Sequence, residues 1–262
     1  MPNVKQQSGA DGIREALDLA LERDSSVFLI GEGVADPKGI FGTTSGLVEK
    51  YGPKRVIETP ISENCFTGAA IGAAMMGRRP VVIHQRVEFA LLSMEQILNG
   101  AAKTHYVSNG AHKVPIVIRL VIGRGWGQGP LHSQSLETLF GHIPGLKVLM
   151  PATAEDCKGM LLSAIEDENP VIFLEHRWIH YVKGEIATGY HPAAIDGPKQ
   201  LSKGESATVV ASSYMTLETL QAVGALSEEG CDVDLFDLRV LRPLKLERIF
   251  ELVSRIVRLL VL

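Results

Sequence analysis

The segment RVIETPISENCFTGAAIGAAMMGRRPVVIHQ, residues 55–85, decides the fold of this chain. Its two ends, RVIETP and RPVVIHQ, are short runs rich in β-branched residues and predict buried strands. The stretch between them, SENCFTGAAIGAAMMG, is rich in small residues and predicts a helix. Glu63 falls where the first strand has ended and the helix begins.

The same alternation continues on both sides of this segment. VFLIGEG precedes it, and VPIVIRLVIG, KVLMPA and PVIFLEHR follow as further strands, with a helix predicted from Ala154 to about Glu166 and an earlier one capped by Asp11. Such alternation predicts an α/β fold, a parallel sheet flanked by helices. Ligands of such sheets bind beyond the C-terminal ends of the strands, so functional residues are expected there.

A change of composition predicts two domains. Residues 183–205 are polar and rich in Gly, Pro, Lys and Ser, which is typical of an interdomain linker. A second series of strands and helices follows and ends on the apolar run RIVRLLVL. We therefore predict a first domain over residues 1–185 and a partial second α/β domain over residues 186–262. A buried type of strand is an unusual place for a domain to end, because that strand and its neighbours would be uncovered, so we expect the second domain to be shorter than a complete one.

Composition excludes several classes of protein. The 262 residues are 45% hydrophobic and carry a net charge of -4, which is ordinary for a globular protein and gives no basic surface for nucleic acid. Cys65, Cys157 and Cys231 are far apart, which argues against a disulfide framework or a structural zinc site. The N-terminus lacks the pattern of a secretory or organelle signal, so we expect a cytoplasmic protein.

Two glutamates follow predicted strands, Glu32 in LIGEG and Glu63 in TPISEN. On local pattern alone, Ser62 would cap the helix and Glu63 would merely favour its positive end. Glu32 would likewise be a loop carboxylate in water. If their strands were adjacent, however, the two carboxyl groups would share a crevice suited to proton transfer.

Other candidates are weaker when taken singly. His132 in GPLHSQS stands beside two serines, but a GxSxG elbow is absent, which disfavours a serine hydrolase. GRGWGQG, residues 123–129, does not have phosphate-loop spacing, and we interpret it as an active-site loop in which Trp126 packs over a ligand. His84 and His132 do not form a metal-binding motif.

In order, these segments resemble one family, the beta subunit of the thiamine-diphosphate-dependent decarboxylating component of 2-oxo acid dehydrogenase complexes, of the pyruvate and branched-chain type. The stretches that carry the resemblance are GEGVADPKGIFGTTSGLVEKYGPKRVIETPISENCFTGAAIGAAMMGRRPVV, SMEQILNGAAKTHYVSNG, VPIVIR and HSQSLETLFGHIPGLKVLMPATAEDCKGMLLSAIEDENPVIFLEH. The first domain then resembles the pyrimidine-binding domain of the transketolase-like superfamily, and the second resembles the front part of its C-terminal domain.

The resemblance implies a role for each candidate. Glu63 would hydrogen-bond the aminopyrimidine ring of thiamine diphosphate and favour the tautomer that takes a proton from the thiazolium carbon. Glu32 would support Glu63, and Phe89 would stack on the aminopyrimidine. His132 would face the substrate and its acyl acceptor as a proton donor or orienting group.

The resemblance also implies a potassium ion and several partners. Potassium would be held by the backbone carbonyls of a loop set comprising Ile116, Ala164, Ile165, Asp167 and Asn169. The GDG motif that grips magnesium and diphosphate does not occur here in a matching context. An alpha-type subunit would therefore supply that half of the site in a heterotetramer with a second beta chain, and a lipoyl-bearing acyltransferase would accept the acyl group.

One departure from the family concerns Arg86, in HQRVEFALL, where the resemblance implies a more apolar stretch. Arg86 either meets an anionic group of the substrate or pairs with a nearby carboxylate. Two other functions also stay open, a split transketolase-like subunit that moves ketol units and a non-catalytic scaffold subunit. Retention of Glu63, Phe89 and His132 together argues against the scaffold.

Overall fold

The structure, a computed structural model, describes residues 3–125 and 127–262. Its strands are β1 (Val4–Ser8), β2 (Val27–Gly31), β3 (Val56–Glu58), β4 (Arg79–His84), β5 (Val117–Ile122), β6 (Lys147–Leu149), β7 (Val171–His176), β8 (Lys183–Ala187), β9 (Lys199–Ser202), β10 (Thr208–Ala211), β11 (Asp234–Asp237), β12 (Val240–Arg242) and β13 (Leu259–Val261). Its α-helices are α1 (Gly9–Arg23), α2 (Leu47–Tyr51), α3 (Glu63–Met75), α4 (Val87–Ala90), α5 (Ala102–Val107), α6 (Glu137–Gly141), α7 (Ala154–Glu166), α8 (Tyr214–Glu228) and α9 (Glu247–Ile256). Short 3-10 turns cover Leu91–Ser93, Pro130–His132 and Arg177–Tyr181, and a π-helical stretch covers Gln96–Ala101.

The main sheet has seven strands in the order β12-β6-β7-β5-β4-β2-β3. From β6 to β3 all neighbours are parallel, and β12 runs antiparallel to β6 at one edge. Alternate residues of β2 pack into two separate cores, Val27 and Leu29 on one face and Phe28 and Ile30 on the other. The predicted α/β fold with a parallel sheet covered on both faces is confirmed.

A second sheet, of the order β13-β10-β11-β9, carries the rest of the chain. Its strands β10 and β11 are buried, whereas Leu259, Leu260 and Val261 of β13 are 48%, 52% and 67% exposed at the sheet edge. The final apolar strand is uncovered, as expected, and β13 pairs through its backbone with β10.

The polar segment between residues 183 and 205 is more ordered than a linker. Its first part, β8, pairs antiparallel with β1, and its last part, β9, joins the second sheet beside β11. Beyond it, β12 returns to extend the main sheet. The domain bounds at residues 185 and 186 stay a prediction. The strand β8 spans this boundary, and β12 joins the second region to the main sheet.

Helix α1 begins one turn earlier than its predicted cap. Ser8 occupies the N-cap, and Asp11 lies three residues inside the helix, where it completes a capping box by accepting hydrogen bonds from the Ser8 backbone N–H and hydroxyl. Within the described residues, no helix is long and apolar enough to span a bilayer. The three cysteines are unpaired.

Candidate active site

The C-terminal ends of β3, β2 and β4 lie side by side at one edge of the main sheet. Gly31, at the end of β2, is in register with Glu58 of β3 and with Ile83 of β4. Gly31 is required there, since a Cβ atom would lie 2.3 Å from the Ile83 carbonyl oxygen. The strands that precede Glu32 and Glu63 are therefore adjacent, which was the condition for the two carboxyl groups to share a crevice.

Glu63 begins α3 and is 7% exposed. Ser62 occupies the N-cap position, but its hydroxyl donates to the Pro60 carbonyl instead of capping the helix. The residues that the structure describes form no hydrogen bond with the Glu63 carboxylate. Glu63 is thus a buried acid at the positive end of a 13-residue helix, held by the fold without a partner of its own.

The loop that carries Glu32 is fixed by a different carboxylate, that of Glu58. Its two oxygens accept hydrogen bonds from the backbone N–H groups of Gly33, at 2.6 Å, and Ala35, at 2.8 Å. The side chain of Gln85 donates to the Glu32 carbonyl at 3.2 Å. Sequence analysis missed Glu58, although its position at a strand end was the available signal. Glu32 itself is half-buried, and its contact with Glu63 stays a prediction.

Phe89 and His132 come together although 43 residues separate them in sequence. Phe89, in α4, meets the His132 imidazole edge-on, with ring centroids 5.4 Å apart. The His132 loop is anchored beside it, because Glu88 accepts a hydrogen bond from the backbone N–H of Gln134 at 2.6 Å. Nδ1 of His132 is buried without a partner among the described residues. Phe89 and His132 thus lie together beyond the C-terminal ends of β4 and β5.

Arg86 is 4% exposed and lies just before α4. No carboxylate oxygen of the described residues lies within 4.0 Å of its guanidinium, so the pairing with a carboxylate considered above is not formed. Instead it donates to the side-chain oxygen of Gln128, which also accepts from Arg177 at 3.2 Å. Trp126, predicted to pack over a ligand, lies outside the described residues.

His84 is a core residue rather than a ligand. It is 2% exposed, its Nε2 lies 3.2 Å from the Thr67 hydroxyl, and burial lowers its pKa to about 3. In the described part of the chain, no group of three or more His, Cys, Asp or Glu side chains could hold a metal ion.

A buried ion pair lies beneath the strand ends. Arg119 of β5 donates to both oxygens of Glu175 in β7, at 2.5 and 2.9 Å, and Nε2 of His180 lies 2.9 Å from Glu175. Burial would raise the pKa of Glu175, but the charge of Arg119 and the bonds from His180 and Arg119 outweigh it and lower that pKa to about 2. Glu175 is therefore a permanent anion that neutralises Arg119.

The loop proposed to bind potassium follows α7. There the guanidinium of Arg79 donates to the carbonyl oxygens of Ile165 and Asp167, both at 3.0 Å. The Asp167 carboxylate accepts from Lys147, and Asn169 bonds to it at 2.8 Å through its side chain. Two of the five expected carbonyl ligands thus already contact a cation of the protein, and potassium at this loop stays a prediction.

A cavity of about 640 Å³ opens between the main sheet and α8. Ser133 and Ser135 of the His132 loop line one side, and Ser213 lines the other at the start of α8. Ser213 has a φ of 51°, which is strained for a residue with a side chain, and its buried hydroxyl has no partner among the described residues. Sequence analysis gave no indication of this second wall.

Comparison with known families defines the class of protein. The family described as transketolase, pyrimidine binding domain matches residues 5–179, and the family described as transketolase, C-terminal domain matches residues 198–262. A solved structure described as a split gene transketolase, inactive beta4 tetramer, superposes with a TM-score of 0.79 at 22% identity, covering 98% of this chain and 79% of that one. That likeness shows the fold.

Closer relatives define the family within this class. The chain is 40% identical over 252 residues to the pyruvate dehydrogenase E1 component subunit beta of Rickettsia bellii, which covers 96% of this chain and 78% of that protein. It is 41% identical to the mitochondrial pyruvate dehydrogenase E1 component subunit beta of Rattus norvegicus, in an alignment that covers 95% of this chain and 70% of that protein. The acetoin:2,6-dichlorophenolindophenol oxidoreductase subunit beta of Cupriavidus necator is 38% identical, over 95% and 76%. The chain belongs to the beta-subunit family of thiamine-diphosphate-dependent 2-oxo acid dehydrogenases, in agreement with the resemblance in sequence.

Proposed function

We propose that this chain is the beta subunit of a heteromeric enzyme that decarboxylates a 2-oxo acid oxidatively and transfers the acyl group to a lipoyl group. The observation that carries the proposal is Glu63, a residue only 7% exposed at the strand-end crevice, whose carboxylate forms no hydrogen bond with the described residues. The oxygens of that carboxylate are not sealed from solvent, so they are available to a ligand nitrogen in the crevice.

The residues of the crevice fit the pyrimidine half of thiamine diphosphate. An acid at a helix start, an aromatic ring in α4 and an imidazole with an unpartnered nitrogen are the groups that an aminopyrimidine ring and a 2-oxo acid need. When bound, thiamine diphosphate supplies the carbon nucleophile and electron sink for loss of carbon dioxide. We assign ring stacking to Phe89 and ring hydrogen bonding to Glu63, with Glu32 supporting Glu63.

His132 is proposed to hold or donate a proton at the substrate. Its edge contact with Phe89 fixes the ring plane, and the Glu88–Gln134 bond fixes the backbone behind it. The imidazole can therefore keep one orientation towards a substrate oxygen, which general acid catalysis requires.

The other half of the site is proposed to come from an alpha-type subunit that holds magnesium and the diphosphate, in a heterotetramer with a second beta chain. A lipoyl-bearing acyltransferase would be the acyl acceptor. The E1 beta names of the relatives and the lack of a GDG motif in a matching context support this division. Potassium at the Ile116 and Ile165 carbonyls and a cytoplasmic location remain parts of the proposal.

The test uses the chain purified with its partner, thiamine diphosphate and magnesium, and follows 2-oxo acid decarboxylation with an artificial electron acceptor. Glu63→Gln should abolish turnover while the assembly elutes unchanged, because an amide cannot share a proton with the ring. Glu49→Gln, at the exposed first turn of α2, is the matched control and should retain full activity.

Other results would favour the other functions. Full activity of Glu63→Gln would refute the role of Glu63. Ketol transfer between sugar phosphates without 2-oxo acid decarboxylation would identify a split transketolase, and an assembly inactive in both assays would identify a scaffold. Tight, stoichiometric cofactor binding by the isolated chain would contradict the half-site.

A further inference from the structure

Two guanidinium groups lie close together beside the proposed active site. Arg86 follows β4 and Arg177 follows β7, and both are 4% exposed. The side-chain oxygen of Gln128 accepts a hydrogen bond from each of them. One neutral amide oxygen therefore bridges two buried cations.

The two charges act on each other. Burial, and then the charge of Arg86, lower the pKa of Arg177 to about 10, and burial likewise lowers the pKa of Arg86. Arg177 also stacks over the Phe41 ring at 4.1 Å, which fixes its plane. Bringing like charges together in a buried place is unfavourable, so the fold keeps this arrangement against an electrostatic cost.

The counter-charge for Arg86 is missing from the described residues. Its Nη1 atom is buried without a partner, and no carboxylate oxygen there lies within 4.0 Å. Glu88 is the acid whose charge raises the pKa of Arg86, but one of its oxygens accepts from the Gln134 backbone and the other is buried without a partner, so neither oxygen pairs with the Arg86 guanidinium. Elsewhere in this protein a buried arginine has its carboxylate, as Arg119 has Glu175.

The position of the pair ties it to the reaction. Arg86 lies three residues before Phe89, and Gln128 lies four residues before His132. Phe89 and His132 are in contact, and Gln128, on the chain segment that leads to His132, accepts from both guanidinium groups. We propose that Arg86 and Arg177 form an anion subsite that binds a negatively charged group at the far end of the substrate.

This inference rests on the proposed function and names its substrate class. The planar guanidinium fork matches two oxygens of a carboxylate, phosphate or phosphonate. The substrate is then a 2-oxo acid with a second anionic group beyond the reacting carbonyl. The carboxylate next to that carbonyl departs as carbon dioxide and is not the group bound here.

The experiment compares matched substrates in the assembled enzyme. One pair is 2-oxopentanoate and 2-oxoglutarate, which differ by a terminal carboxylate, and the other is 2-oxobutanoate and 3-phosphono-2-oxopropanoate. We expect the anionic member of one pair to have the higher kcat/KM. A preference in the first pair would identify a carboxylate as the bound group, and a preference in the second pair would identify a phosphonate. Arg86→Gln should reduce that preference by about 10- to 100-fold, mainly through KM, as expected for one or two charge-assisted hydrogen bonds.

Controls separate charge from structure. Arg86→Lys keeps the positive charge but lacks the planar guanidinium fork. Its preference for the anionic substrate should lie between that of the wild type and that of Arg86→Gln. Arg177→Gln should reduce the preference in the same direction, and Arg248→Gln, an exposed arginine of α9, should not change it. If Arg86→Gln does not assemble, Arg177→Gln and Arg86→Lys still decide the question.

The outcomes also separate this inference from the proposed function. One outcome would overturn the subsite and leave the proposed function standing. The enzyme would turn over 2-oxo acids without a second anionic group, it would not prefer the anionic member of either pair, and the arginine variants would behave like the wild type. Absence of all decarboxylation would refute the function, and then thermal stabilisation of the assembly by inorganic phosphate decides the subsite alone. If phosphate stabilises the wild-type assembly but not the Arg86→Gln assembly, the anion subsite is supported. If phosphate stabilises both assemblies equally, the subsite is overturned.

Discussion

The edge of the Phe89 ring lies against His132, with centroids 5.4 Å apart, so the ring proposed to stack on the cofactor also orients the imidazole proposed to face the substrate. Two roles that sequence assigns separately are therefore coupled through one contact. A substitution at either residue should therefore change both the affinity for the cofactor and kcat.

Replacing His132 tests its proton role. We expect His132→Gln to lower kcat of the assembled enzyme by a factor on the order of 10² to 10³, the usual cost of losing a general acid. The measurement is steady-state decarboxylation, with His142→Gln at an exposed position as the control. A His132 variant with normal kcat would assign the ring to structure alone.

Replacing Phe89 tests the coupling. Phe89→Leu keeps apolar volume but removes the ring face, and we expect about 10-fold weaker thiamine diphosphate binding together with a lower kcat. Titration of apo assembly with cofactor, followed by activity, gives both numbers. A loss confined to cofactor affinity would show that His132 keeps its orientation without the ring.

Glu88 should act through the loop that it anchors. Glu88→Gln retains an acceptor for the Gln134 backbone N–H, whereas Glu88→Ala removes it, so we expect a loss in kcat/KM that is small for Gln and about 10-fold for Ala. Glu95→Ala, at an exposed position, is the control. Equal effects of the two Glu88 variants would point to its charge rather than to the hydrogen bond.

Arg79 should compete with potassium for the carbonyl oxygens of Ile165 and Asp167. Arg79→Gln removes the guanidinium, and we expect potassium, compared with sodium at equal concentration, to raise the Tm more in this variant than in the wild type. Arg78→Gln, exposed beside it, serves as the control. If neither protein distinguishes the two ions, the predicted potassium site does not exist.

Glu175 should give stability a defined pH dependence. Its pKa of about 2 in the folded state lies below the value of about 4.3 in unfolded chains, so its contribution is full above pH 4.3 and is lost as the pH falls towards 2. Glu175→Gln leaves Arg119 buried without its counter-ion and should cost about 3–5 kcal/mol at pH 7. Urea unfolding of both proteins from pH 7 to pH 3 should show this difference constant down to about pH 5 and shrinking below it.

Sequence predicted the parts of the fold that burial governs. Helix α7 spans Ala154–Glu166 as expected, and the parallel strands of the main sheet fall where apolar runs predict them, because a strand buried on both faces must be largely apolar. The strands β1, β8, β9 and β12 were missed. They are short, the first three carry many polar side chains, and their pairing depends on distant backbone.

The candidate site divides in the same way. The residue types at the strand ends could be predicted from the sequence, but the side chains and backbone groups that they contact could not. Gln128 belongs to no motif, and its contacts with Arg86 and Arg177 arise from tertiary structure alone. Glu58 is the last residue of the strand before the TPISE motif, and that position was the one signal in the sequence. Its contacts with the Glu32 loop arise from tertiary structure alone.

The strand β12 has a consequence for how this protein can be divided. Because it closes the main sheet by pairing with β6, a fragment ending near residue 185 would leave β6 as a bare edge with unpaired backbone groups. Such a fragment should aggregate on expression, and proteolytic nicking after β8 should leave the two pieces associated. In protein engineering, the regions on either side of residue 185 should therefore be exchangeable with those of a relative only together.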